Sequence, residues 1–163
     1  MSETATCRER LMPYCQGCGL DIGFGGDPIV PWAITIDYNP ETKPQIVCDA
    51  SNLPFKDAVL DFVYSSHALE DFQRTGDALM EWLRVIKPGG YLVLFLPDQA
   101  TYAARCLVDG ILPNQAHKHA EFSLEFVKAA LNAACSPPTW KIVHELFPVP
   151  GNPYSFDLVI QKL

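Results

Sequence analysis

Apolar residues alternate along this chain with turn-forming clusters in a way that predicts an alternation of strands and helices. Thr4 to Met12 reads as a short opening helix that Pro13 stops. Cys18 to Ile22 and Ala33 to Asp37 read as two short buried strands, Gln45 to Cys48 as a third, and Leu60 to Ser65 as a fourth. Between the first two strands lies Gly23-Phe24-Gly25-Gly26-Asp27-Pro28-Ile29-Val30-Pro31-Trp32. Three glycines and two prolines in ten residues cannot sustain a helix of normal length, so the link is predicted to be a loop. Ala68 to Phe72 starts a helical turn. From Thr75 to Ile86, Ala78, Leu79, Trp82, Leu83 and Ile86 recur at helical spacing, and Lys87-Pro88-Gly89-Gly90 is expected to close that helix. Tyr91 to Leu96 is apolar throughout, as a central parallel strand should be.

Beyond it, Pro97 to Asn114 reads as loop plus a helical piece. Ser123 is positioned to cap a helix running to Ala134, with Phe126, Val127, Ala130 and Leu131 on one face and Pro137-Pro138 as its breaker. Trp140 to Phe147 and Phe156 to Leu163 form the last two strands, joined by a Pro- and Gly-rich connection that suits an antiparallel pair. The expected fold is therefore α/β: a Rossmann-like, mostly parallel sheet with an antiparallel terminal hairpin and a shortened first crossover. The whole chain, 1–163, reads as one domain.

Composition narrows the partners. The formal net charge is -7, which argues against a nucleic-acid backbone as the main partner. No run of about 18 apolar residues is present to span a membrane, and the polar start lacks the apolar middle of a secretory signal. The cytoplasm is the expected location. Cys15 and Cys18 have the spacing of half a zinc site, but no second close pair accompanies them, so no metal is expected.

The chemistry concentrates around Gly19-Leu20-Asp21-Ile22-Gly23-Phe24-Gly25-Gly26-Asp27, followed by a second acid, Asp37, at a strand end. Glycines let the backbone approach a ligand closely, and a strand-end acid can accept both hydroxyls of a ribose. A dinucleotide would need a helix directly after the glycines to hold its pyrophosphate, and Pro28 and Pro31 argue against one.

Six pieces in order carry a resemblance: Leu20 to Gly26, Ile36-Asp37, Cys48-Asp49-Ala50, Leu53-Pro54-Phe55, Asp61 to Glu70, and Trp82 to Gly90. Together they span roughly residues 19–96 and resemble the class I S-adenosylmethionine-dependent methyltransferases, type 11 branch. The resemblance implies a seven-stranded sheet whose last strand is inserted antiparallel, S-adenosylmethionine as cofactor, and methyl transfer to a small-molecule or glycan-like acceptor. It implies that Asp37, with Tyr38 beside it, meets the ribose, and that Asp49 and the Ala50 backbone meet the adenine. Gly23, Phe24 and Gly25 would pass under the ribose and methionine, with Asp21 orienting the loop or meeting the methionine ammonium. Ser65, Ser66 and His67 would border the methyl group or the amino-acid end. Candidates for handling an acceptor proton are His67, Asp71, Asp98, His117 and His119, on the loops at the strand carboxyl ends. The chain departs from the commoner pattern in having Asp27 at a frequent glycine position and no helix after it. Two other readings stay open: a methyltransferase-like binding module without catalysis, and a nicotinamide-dependent oxidoreductase.

Overall fold

A computed structural model describes residues 2–134 and 139–163; the expected breaker Pro137-Pro138 and Cys135 lie outside the described residues. Helix α1 spans Glu3–Leu11, with the Ser2 hydroxyl accepting from the Ala5 amide at 3.1 Å and Glu3 in the first turn. Its buried side, Thr4, Cys7 and Leu11, follows helical spacing. The strands are β1 (Gly19–Ile22), β2 (Ile34–Asp37), β3 (Ile46–Val47), β4 (Leu60–Ser66), β5 (Ile86–Pro97), β6 (Trp140–Leu146) and β7 (Ser155–Lys162). Helices α2 (Thr75–Val85), α3 (Gln99–Asp109) and α4 (Leu124–Ala134) follow, with short 3₁₀ turns at Met12–Tyr14, Pro40–Thr42 and Leu69–Asp71.

The strands form one sheet in the order β3-β2-β1-β4-β5-β7-β6. All neighbouring pairs are parallel up to β5, and β7 runs antiparallel to both β5 and β6. The inserted antiparallel strand and the seven-stranded count agree with the sequence-based expectation. Because β1 pairs with both β2 and β4, the direction of winding reverses there, which opens a crevice beyond the carboxyl ends of those strands.

Each face of the sheet has its own core. Leu20, Ile22, Val63, Leu92 and Leu94 face Leu79, Trp82 and Leu83 of α2 and Val127 and Leu131 of α4. On the other face Phe62, Tyr64, Val93 and Phe95 meet Cys7 and Leu11 of α1 together with Ile29 and Val30. The link between β1 and β2 is indeed a loop, but a loop whose Ile29 and Val30 are fully or almost fully buried. Asp21 makes this possible: its Oδ2 accepts from the Ile29 amide at 2.7 Å, pinning the loop to the sheet. Two apolar side chains thus cover part of the face that a crossover helix would cover.

The structure differs from the expectation at two junctions. No loop separates α2 from the next strand: β5 begins at Ile86, directly after α2, and pairs with Leu60 before a register irregularity. The Lys162 ammonium donates to the carbonyls of Leu83 and Ile86, at 2.8 and 2.7 Å, which holds the junction to the far end of β7. The segment after Pro97 is more regular than expected. Asp98 caps α3, and Gly110 ends it in the left-handed conformation, its amide reaching back to Cys106 and Leu107. Cys15 is buried, its thiol directed to the Leu11 carbonyl, while Cys18 is exposed. Among the described residues no three His, Cys, Asp or Glu side chains gather in a way that could hold a metal.

Candidate functional site

The crevice at the winding reversal is a cleft of about 790 Å³. Its walls include Gly23, Asp37, Asp49, Ala50, His67 and Asp71. Gly23 has φ +71°, and a Cβ there would lie 2.5 Å from the Ala68 Cβ, so glycine is required both by conformation and by space. The amides of Gly23 and Phe24 donate to the Ile36 carbonyl at 2.9 and 3.2 Å, which stitches the turn to β2. Phe24 is half-buried and Gly25 exposed; they continue the turn outward.

Asp37 ends β2 and is buried. Its Oδ1 accepts from the Asn39 amide at 2.9 Å, and its Oδ2 receives only a long 3.4 Å bond from the Gly25 amide. Oriented amides thus hold the carboxylate at the cleft wall. Tyr38, beside it, lines the cleft while remaining 79% exposed. Asp49 stands on the lip just beyond β3, where the Ser51 amide and hydroxyl both donate to Oδ1 at 2.8 Å. Those two bonds hold its carboxyl below the ordinary range. The Ala50 carbonyl accepts from the Trp82 indole at 2.9 Å, so α2 fixes this lip.

Asp21 does not line the cleft. It lies beneath the turn, 2% exposed, and burial pushes its carboxyl up to about 8. Of the two roles implied for it, the visible one is to orient the loop. Ser65 and Ser66 end β4 with buried hydroxyls that have no hydrogen-bond partner.

His67 follows them with φ +48°, its amide donating to the Phe95 carbonyl at 2.9 Å. The ring stands on Phe95 and shares a 2.9 Å hydrogen bond from Nε2 with the Ser155 hydroxyl. Burial, and then the nearby His117, push its pKa down to about 3, so the ring is neutral. His117 arrives from the loop after α3, with its Nδ1 bonded to Gln99 Oε1 at 2.6 Å and its ring against Tyr102. Because an amide oxygen only accepts, the proton sits on Nδ1 and Nε2 is left basic. Burial lowers the pKa of this ring too.

His117 and His119 point to different places. His119 Nε2 donates to the Phe72 carbonyl at 3.1 Å and lies 3.2 Å from the Thr75 hydroxyl, with its ring against Phe126. It joins the start of α2 to α4 and does not itself line the cleft. Asp98 is likewise engaged elsewhere: its Oδ1 accepts from the Thr101 amide at 3.0 Å and hydroxyl at 2.7 Å as the cap of α3.

Two acids had no assigned role in the sequence reading. Glu70 is 1% exposed, and its Oε1 lies 3.9 Å from His67 Nδ1 and 3.7 Å from His117 Nε2. The available signal was its spacing, three residues after His67 in the turn Leu69–Asp71. Glu3 of α1 accepts from Asn152 and from the Tyr154 hydroxyl, and its Oε2 is 3.7 Å from His67 Nε2. No local pattern marks Glu3.

Comparisons with known proteins agree with this geometry. Residues 20–94 match the family model described as a methyltransferase domain. A demethylmenaquinone methyltransferase of Streptomyces avermitilis is 43% identical over 60 residues, covering 37% of this chain and 26% of that protein. A malonyl-[acyl-carrier protein] O-methyltransferase of a Marinomonas species is 31% identical over 111 residues, covering 68% of this chain and 40% of its own length. The chain therefore spans less than half the length of these curated relatives. A crystal structure of a Pyrococcus horikoshii protein superposes with TM-score 0.76 at 18% identity, covering 98% of this chain and 89% of that one. A Thermotoga maritima protein described as a methyltransferase dependent on S-adenosylmethionine superposes with TM-score 0.70 at 21% identity, covering 99% and 88%. These two likenesses speak for the fold. Strand order, the glycine turn with its strand-end acid, and the matched segment lead to one likeness: over residues 20–94 the chain is similar to the methyltransferase-domain family, and its sheet has the fold of the solved neighbours.

Proposed function

We propose that the chain binds S-adenosylmethionine in the cleft between the ends of β1, β2 and β4 and transfers its methyl group to a small-molecule or glycan-like acceptor. The observation that carries this reading is Asp37, held by two backbone amides at the wall of a cleft entered over the Gly23 turn. When bound, the cofactor supplies an electrophilic methyl group on a sulfonium, and the protein's part is alignment. Asp37 would take the ribose hydroxyls, and Asp49 with the Ala50 backbone the adenine. Ser65 and Ser66, with their unpartnered hydroxyls at the end of β4, would border the methyl group or the amino-acid end. His67 and His117, both neutral and close to the cleft, are the groups best suited to receive an acceptor proton. His119 and Asp98 are engaged in helix-end contacts and are weaker candidates.

A relative named for demethylmenaquinone supports a small-molecule acceptor. The net charge of -7 speaks against nucleic acid. Among the described residues no helix is long and apolar enough to cross a membrane, which is compatible with a cytoplasmic location.

Calorimetric titration with S-adenosylmethionine and with S-adenosylhomocysteine tests the cofactor half. Saturable binding of both is expected. Absence of binding for either at millimolar concentration would overturn it.

The looped link favours one other reading, a binding module without catalysis. A crossover helix would bring free amides to the methionine carboxylate, and here none follows the glycines. Tight cofactor binding without methyl transfer across an acceptor screen would select that reading.

A further inference from the structure

Among the described residues, the buried side-chain oxygens without a hydrogen-bond partner are Ser65 Oγ, Ser66 Oγ, Glu70 Oε2, Asp71 Oδ1 and Asn152 Oδ1. Native chains rarely leave such atoms bare, and each one calls for an explanation. They are not scattered. Four belong to the end of β4 and the turn that follows. The fifth, Asn152, holds Glu3, whose carboxylate stands 3.7 Å from His67. His67 and Asp71 connect this cluster to the cleft wall.

The chemistry of the bare atoms is one-sided. Asp71 and Asn152 present oxygens that accept, the two serines can do either, and Glu70 accepts through both oxygens once its carboxyl has lost its proton. With Glu70 ionised, what this region calls for is a hydrogen-bond donor. The groups facing Glu70 come from three elements: His67 and Asp71 on its own turn, Glu3 from α1, and His117 from the loop after α3. The Lys118 amide docks that loop on the Glu70 carbonyl at 2.9 Å. Among the described residues Glu70 forms no ion pair with an Arg or Lys side chain.

We propose that this cluster is the methyl-acceptor subsite, that it takes a hydroxyl or amine acceptor, and that Glu70, acting through His117, receives the proton the acceptor loses. This inference rests on the cofactor reading above. The acceptor's O–H or N–H proton passes to His117 Nε2 and on to the Glu70 carboxylate. The heteroatom's lone pair forms the new bond to carbon, and the pair from the broken carbon–sulfur bond stays on sulfur. Glu70 is a positioning residue in this scheme, since His117 faces the acceptor. With burial raising its carboxyl to about 8, Glu70 carries a proton in the ligand-free chain at neutral pH. A cation entering the adjoining cleft favours release of that proton. Cofactor binding therefore frees the base that the acceptor needs.

Proton release is measurable without knowing the acceptor. Titration with S-adenosylmethionine at pH 7.5 in Tris and in phosphate should give heats that differ by the release of a substantial fraction of one proton. S-adenosylhomocysteine, which lacks the sulfonium charge, should release much less. Glu70→Gln should bind S-adenosylmethionine within about threefold of the wild type but lose the buffer dependence. ¹⁵N-histidine spectra of the free proteins add a second readout: His117 Nε2 should show an inflection near pH 8 that Glu70→Gln removes and Glu70→Asp retains. If neither cofactor binds, the underlying reading fails. If S-adenosylmethionine binds with no buffer dependence, or Glu70→Gln keeps that dependence or the inflection, this inference fails while the cofactor reading stands.

Discussion

At the β2–β3 end of the cleft, Asp37 and Asp49 stand at strand ends with their oxygens tied to nearby backbone amides. At the β4 end, His67, Glu70 and His117 press against one another with side chains 15%, 1% and 6% exposed. The oxygens of the first pair accept from local amides, which supply part of what water would otherwise give. The second group has no such support and stays neutral. One end is built to hold a ligand by fixed charge. The other is built so that a proton moves at small cost.

That contrast can be broken most severely at the hinge between the two ends. Gly23→Val places a branched side chain at φ +71° and against Ala68, and should cost about 3 kcal/mol or more of stability. Chemical denaturation would measure the loss, and an unchanged midpoint would show that the turn relaxes freely. Asp37→Ala sharpens the comparison from the charged end. Charge-assisted hydrogen bonds are worth about 1.5–3 kcal/mol, so affinity for S-adenosylhomocysteine should fall by roughly ten- to a hundredfold. Titration calorimetry with an unchanged dissociation constant would remove Asp37 from the site.

The neutral end is tested by pH. The carboxyls of Asp21 and Glu70 rise to about 8 in the fold, from 3.8 and 4.5, so the fold retains protons that the unfolded chain has released. Their stabilising contribution is complete below the unfolded values and is lost as pH climbs through about 8. Between pH 6.5 and 8 the wild type should lose on the order of 2 kcal/mol, and Asp21→Asn with Glu70→Gln should flatten that fall. Thermal melts across the range would show it, and parallel curves for variant and wild type would contradict it. The smallest effect is expected outside both ends. Asp98→Ala removes the cap of α3 and should cost about 1 kcal/mol. Its affinity for S-adenosylhomocysteine should stay within twofold, and a larger drop would return Asp98 to the ligand's neighbourhood.

The charged end was legible in the chain because its determinants are local. A glycine turn, an acid at the end of the next strand and an Asp before Ala50 each declare themselves within a few residues. The neutral end depends on packing between distant segments. His117 and His119 are two residues apart and look equivalent, yet one meets Glu70 and the other meets Phe72 and Thr75. Glu70 sat inside a recognised motif without its burial being apparent, since only the arrival of His117 and Glu3 closes the space around it. The prolines between β1 and β2 correctly exclude a helix. That Ile29 and Val30 become core residues depends on the buried Asp21, and no periodicity records such a contact.

Glu3 bonds to Asn152, a separation of 149 residues that encloses nearly the whole chain. A loop that long closes late, after the sheet it spans has paired, because many conformations must be given up for one contact. The contact beside His67 is therefore expected to close late in folding. Trimming α1 should leave the strands and the ribose end in place while letting water reach His67 and Glu70. Glu3 is held by Tyr154 as well as by Asn152, and Arg10 pairs with Asp157, so the first helix ties the far end of the chain to this wall at more than one point.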